Sequence, residues 1–437
     1  MTQCPTKFAV VLAGIFFCLV VLIPNVAAQS AFPSLTAPFD DSSSSLFSIS
    51  GADASSINGN GGVRVANLQS KISAAAPGVA ATTLTLGSLE PAHGANADAG
   101  EAVKAVLTAY FDELNQRGGI YNRRITVRFA DAGLNRTATV KNATQLLHQP
   151  VFALVAPFAP GAENDLAGLA HAKKVPLAGL LALSVPDDPA NREVFYLLPG
   201  FEQLVQELGR FAVQHQNVVP AKSAVIFSDK SLQHELGPAM QAMWKESGAA
   251  MPAEFISTEN PAQQVGQLKE QGIDTIFLFG ASDAVTPWIQ AADEAKWYPK
   301  FFMLGPLLDD SVLTGPAPLQ GRMFAVYPAL EPNLEGLTEF DHFLERHNLS
   351  GEHRLLLISA YCAAQTLEAA LKRAGKDLTR EKFLLALEQL HDFRTGLLPP
   401  ITFGPDRHIG SHKAELVCLD LLTHSFEPTC SQPVSGK

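Results

Sequence analysis

Charge is scarce in this chain of 437 residues: Asp, Glu, Lys and Arg make up 17% of it, and acids outnumber Lys and Arg by 43 to 32. With no basic excess to neutralise phosphates, nucleic acid is excluded as a partner, and an acidic surface is equally repelled by anionic lipid. Apolar runs long enough to cross a membrane are missing beyond the first 28 residues, which excludes a later spanning segment. Cysteine is rare, with five in all, and His408, His412, Cys418 and His424 follow no recognised zinc spacing. No metal or other cofactor is expected. What is present is a hydrophobic content of 47%, enough for a large buried core.

At the N-terminus, Lys7 precedes an apolar run over 8–23, then Pro24 and the small residues Val26-Ala27-Ala28. This reads as a secretory signal cleaved before Gln29, with a periplasmic product, and an uncleaved anchor is the alternative. Ile15-Phe16-Phe17 before Cys18 is too bulky for a lipoprotein processing site. Losing residues 1–28 removes Lys7 and no acid, so the formal charge of -11 becomes -12. Residues 29–81 are rich in Ser, Ala, Gly and Asn and lack the apolar surface to offset ordering entropy, so a flexible, low-complexity spacer is expected. Of the three cysteines that remain, Cys418 and Cys430 are expected to bridge, tying the tail onto the strand before it. Cys362, inside an apolar helix, is read as a buried small hydrophobe.

Strand and helix patterns then alternate. Strands are expected over 83–88, 125–130, 152–156, 176–178, 224–227, 275–279 and 301–304. Helices are expected over 99–116, 136–147, 162–173, 201–215, 233–247 and 285–295, with three more over 337–347, 355–373 and 379–390. Such alternation builds parallel sheets covered by helices on both faces. Roughly 350 residues exceed what one core supports, so the fold class is α/β with two doubly wound parallel-sheet lobes.

Ala109-Tyr110-Phe111-Asp112-Glu113-Leu114-Asn115-Gln116-Arg117-Gly118-Gly119-Ile120 ends an amphipathic helix in a double glycine, and Arg124-Ile125-Thr126-Val127-Arg128-Phe129-Ala130-Asp131 follows as a strand. This join resembles the first helix and second strand of bacterial periplasmic solute-binding proteins of the branched-chain amino acid type, the receptors of ABC importers. The run 400–410 is similar to an element near the end of the same family, so the resemblance covers about 84–420. It implies three crossings between the lobes, with lobe one from 82–199 and 329–395, lobe two from 200–328 and 396–430, and a tail over 431–437. It also implies a monomer that captures a small molecule in an interlobe cleft and delivers it to an ABC permease in the inner membrane. A receptor that passes closure to a membrane sensor is the alternative.

Ligands of doubly wound sheets collect beyond the carboxyl ends of the strands. The loops at those ends are 89–99, 157–164, 179–184, 228–235, 280–286 and 305–310. The family holds an amino acid's carboxylate with hydroxylated residues after the third and fourth strands, and its ammonium with an acid in the far lobe. Here those stretches, 156–163 and 178–184, mostly lack hydroxyls, with Ser184 at the end of the second, and Gly305-Pro306-Leu307-Leu308 puts a leucine at the acid position with Asp309 and Asp310 close behind. The cleft is therefore expected to be apolar, and a zwitterionic amino acid a poor ligand. Ligand-binding candidates are Glu90, His93, Phe158 and Glu163 of one lobe and Gln233, Ser282, Asp283 and Asp309 of the other. Gly280-Ala281-Ser282-Asp283-Ala284 resembles a nucleophile elbow and raises a remote serine hydrolase reading, but Ala284 stands where that strained turn wants glycine. No enzyme activity is expected, and Ser282 and Asp283 are read as helix-capping or cleft residues. Trp288 and Trp297 are expected to pack on the sheet rather than stack on a sugar.

Overall fold

The computed structural model describes residues 76–427, apart from 183–184, 186–190 and 259. The expected leader, most of the spacer, the tail and Cys430 lie outside the described residues.

The first lobe opens with β1 (Thr83–Glu90), α1 (Ala97–Gln116), β2 (Arg124–Asp131), α2 (Arg136–Leu147), β3 (Leu154–Val155), α3 (Glu163–Ala172), β4 (Leu177–Ala178) and β5 (Val194–Phe195). Its five strands are all parallel and run in the order β2-β1-β3-β4-β5. In α1, Val103, Val106, Leu107, Tyr110, Phe111 and Leu114 recur at helical spacing and are buried against the sheet. The double glycine does the job its position suggests. Gly118 and Gly119 take φ of 98° and 67°, and a Cβ on Gly119 would stand 2.1 Å from the Arg123 carbonyl oxygen.

The second lobe contributes α4 (Phe201–Gln216), β6 (Ser223–Phe227), α5 (Lys230–Glu246), β7 (Ala253–Ile256), α6 (Ala262–Glu270), β8 (Thr275–Phe279), α7 (Ser282–Glu294), β9 (Lys300–Leu304) and β10 (Met323–Pro328). The chain then returns to the first lobe with α8 (Leu334–Arg346), α9 (Arg354–Ala374) and α10 (Arg380–Glu388), and finishes in the second sheet with β11 (Ala414–Asp420) and β12 (Ser425–Glu427). That sheet runs β12-β11-β10-β9-β8-β6-β7. Its central strands β6 and β8 are buried at every residue, as a parallel sheet covered on both faces requires. It is not wholly parallel: β11 pairs antiparallel with β10 and β12 antiparallel with β11.

Two expected boundaries move. The body starts before residue 82, because Ala76 and Val79 pack on the first core and the Thr85 N–H donates to the Gly78 carbonyl. The third crossing comes after Ser411 rather than at 395–396. Leu397, Leu398, Ile401 and Phe403 join the core formed by α1 and α9, and the chain bonds along the β5 edge through Tyr196 N–H to His408 O and Gly410 N–H to Tyr196 O. The extended run 400–410 thus finishes the first lobe, since its apolar residues have no other core to enter.

Trp288 and Trp297 are buried in the second lobe, and their indole N–H groups donate to Ser257 Oγ and Ile273 O. Cys362 is free and buried, and Cys418 is disulfide-bonded.

Candidate functional site

A cavity of about 680 Å³ opens where the loops after β1, β3, β4 and β9 meet the first turns of α4 and α9. Lobe one supplies Phe158, Leu180, Leu181 and Leu198; the second-lobe side supplies Phe201, Leu204, Leu307 and Leu308. The size is in the usual range for a small-molecule site, and the lining is more uniformly apolar than most.

Close backbone approach shapes the walls. Gly179, with φ 73°, brings β4 so near α9 that a Cβ would fall 2.4 Å from the Ala363 Cβ. At Gly305 a Cβ would lie 2.1 Å from the Tyr327 ring, so glycine there lets the ring cross the end of β9. Ala156, just after β3, holds φ of 41°, a conformation costly for a residue with a Cβ and of a kind that clusters at ligand sites.

The polar content is small. Among the described residues Arg354 is the one Asp, Glu, Lys or Arg on the lining, and its guanidinium bonds Asp341 Oδ1 at 2.7 Å and covers the Phe340 ring. Ser359 Oγ donates to the Leu355 carbonyl. Among the described residues no carboxylate lines the cavity. At the start of α9, His353 takes the left-handed conformation and makes no side-chain cap, so the positive end of a 21-residue helix borders the space. Tyr327 is the polar side chain that the second lobe presents, with its ring edge-on to Phe426. Burial first, then the charge of Asp310, push its hydroxyl pKa up, which keeps the phenol neutral.

A sequence profile described as periplasmic binding protein matches residues 83–420. The chain belongs to the periplasmic binding protein family. No curated protein sequence matches it. Among solved structures, it is similar to a fatty acid ABC transporter substrate-binding protein from Thermomonospora curvata, with a TM-score of 0.65 and 17% identity over 80% of this chain and 91% of that one. It is also similar to a possible leucine/isoleucine/valine-binding protein from Rhodopirellula baltica, with a TM-score of 0.64 and 17% identity over 78% and 95%. A third, a branched-chain amino acid ABC transporter protein from Thermus thermophilus with bound valine, gives 0.63 and 14% over 79% and 94%. This periplasmic binding protein shares its fold with those three solved structures.

Of the expected binding residues, Phe158 lines the cavity, and its N–H donates to Leu89 O. The others lie off the lining. Glu90 is buried behind it, with Oε1 2.6 Å from Ser88 Oγ and Oε2 left without a partner, and burial raises its pKa well above the usual carboxylate range. His93 is exposed, 4.0 Å from Asp131. Glu163 is buried in the first turn of α3, where its charge raises the pKa of the nearby Tyr196 hydroxyl after burial has done most of the work. Gln233 donates to Glu254 Oε2 on an outer groove between α5 and β7. Ser282 Oγ accepts the Asp309 N–H at 2.8 Å, pinning the start of α7 to the loop after β9. Asp283 is exposed, and Asp309 accepts from the Ser311 side chain and N–H, which lowers its pKa. The binding protein's cavity walls include Tyr327 and the first turn of α9, neither of which was expected. Only the apolar run before Pro328 and the helix start after Gly351 hinted at them.

Proposed function

We propose that this protein captures an elongated, largely apolar small molecule between its lobes and delivers it, as a monomer, to an ABC permease in the inner membrane. Export would follow cleavage of residues 1–28, and the periplasm would be the working compartment. The observation that carries the ligand class is the lining itself: among the described residues, aliphatic and aromatic side chains from both lobes, no carboxylate, and an Arg354 already paired with Asp341. Among the described lining residues an amino acid's ammonium would meet no anion, and burying that charge unpaired costs several kcal/mol. The fatty acid named for the Thermomonospora curvata protein fits such a lining, whereas the valine of the Thermus thermophilus protein does not.

The test is a thermal-shift series with octanoate, octan-2-one, leucine, isoleucine and valine on the purified exported protein. Ligands that bind the native state raise the melting temperature by mass action. Octanoate and octan-2-one are expected to raise it at millimolar concentration while the three amino acids leave it unchanged. Submicromolar leucine binding by calorimetry would overturn the reading.

A further inference from the structure

Building on the apolar-cleft reading, we propose that the Tyr327 hydroxyl selects the ligand's polar end, so that the cleft takes an apolar molecule carrying one acceptor oxygen group, a carboxylate or a ketone, and rejects an amine. Three observations converge. Tyr327 is the polar side chain of the second lobe on the cavity wall, and no described residue hydrogen-bonds its hydroxyl. Its ring is held on two sides, by the missing Cβ of Gly305 and by the edge contact with Phe426, which fixes where the hydroxyl stands. Of the other polar groups around the space, Ser359 already donates to Leu355 O and Arg354 is paired, and α9 begins there uncapped. A neutral phenol hydroxyl donates well to a carbonyl or carboxylate oxygen. An ammonium would meet the positive end of a helix, and among the described residues no carboxylate lines the cavity; Asp310, whose charge reaches Tyr327, is exposed and off the lining, where water screens it. Specificity then comes from polar complementarity at one point, the kind of contact that discriminates far more than a methylene does.

The experiment is calorimetric titration of the full exported protein and of Tyr327→Phe with octanoate, octan-2-one and octylamine. Phenylalanine keeps the ring on Gly305 and against Phe426, and the melting temperature of the unliganded variant reports whether the fold is retained. The wild type is expected to bind octanoate and octan-2-one and to bind octylamine at least tenfold more weakly. Tyr327→Phe should lose roughly tenfold for both oxygen ligands, the effect of one hydrogen bond to a strong acceptor. Phe158→Ala, as a second variant, should weaken both oxygen ligands by a similar factor, because it removes apolar contact and no hydrogen bond. Unchanged affinity in Tyr327→Phe, or octylamine binding as tight as octanoate, overturns the inference while leaving the apolar cleft standing. A wild type that binds none of the three overturns the cleft reading and this inference with it.

Discussion

Glu90 offers a prediction that depends on burial alone. The carboxyl is 4% exposed, its Oε1 meets Ser88 Oγ, and its Oε2 has no partner. Ser88 Oγ also lies 2.7 Å from Val155 O, and one hydroxyl proton cannot serve both acceptors. A protonated Glu90 resolves this, because the acid donates to Ser88 and Ser88 donates to Val155. Desolvation by burial, the largest cause, raises the native pKa. The sign follows from linkage. Above the unfolded value of about 4.3 the unfolded chain releases this proton while the native chain holds it, so stability falls as pH rises until the native pKa is passed. Within that window the loss is about 1.4 kcal/mol for each pH unit. Glu90→Gln removes the ionisable group. Its buried amide leaves one N–H to place, which shifts the intercept but not the slope. Urea melts of both proteins from pH 4 to pH 9 are the assay, because subtracting the two curves cancels every other titrating group. The difference should move in favour of Glu90→Gln by about that slope as pH rises. Parallel curves would refute the reasoning and mean that Glu90 is ionised, or hydrated, in the native protein.

Other perturbations separate the site from the scaffold. Gly119→Ala should cost about 2 kcal/mol or more, since it combines a positive φ with a Cβ 2.1 Å from a carbonyl oxygen, whereas Gly118→Ala meets open space and should cost about 1; urea midpoints measure both. Ser282→Ala should lower stability by about 1–2 kcal/mol through the orphaned Asp309 N–H, with ester hydrolysis at background before and after. Octanoate affinity should be unchanged in Asp283→Ala, because Asp283 is exposed on α7 away from the lining. Peptide mapping without reductant should recover Cys418 joined to Cys430 with Cys362 as a thiol, and Cys418→Ser should cost about 2–4 kcal/mol.

The fold was legible where burial is periodic. Helix α2 and strand β8 coincide with the expected 136–147 and 275–279, because apolar spacing and flanking turns agree there. Strand β7 escaped notice, since Ala253 and Glu254 of this edge strand are exposed and carry no alternation. Strand β10 escaped although Met323 to Val326 is a buried apolar run, because four such residues fit a helix segment as well as a strand. The antiparallel direction of β11 and β12 is a matter of partner choice, which composition does not record. At the site, strand ends located most of the loops that line the cavity. Choosing polar residues within them misled, because Ser282, Asp309 and Gln233 satisfy local backbone and side-chain groups. A cavity walled by leucine has the same sequence signature as a core.

The location of the ligand tests the account most directly. Crystals grown with 8-bromooctanoate would mark the ligand by the anomalous signal of bromine. The account predicts one bromine between Phe158, Leu181 and Leu307, with the carboxylate within hydrogen-bond reach of the Tyr327 hydroxyl. Bromine on the outer groove beside Lys230 and Glu254, with the interlobe cavity filled by water alone, would contradict it.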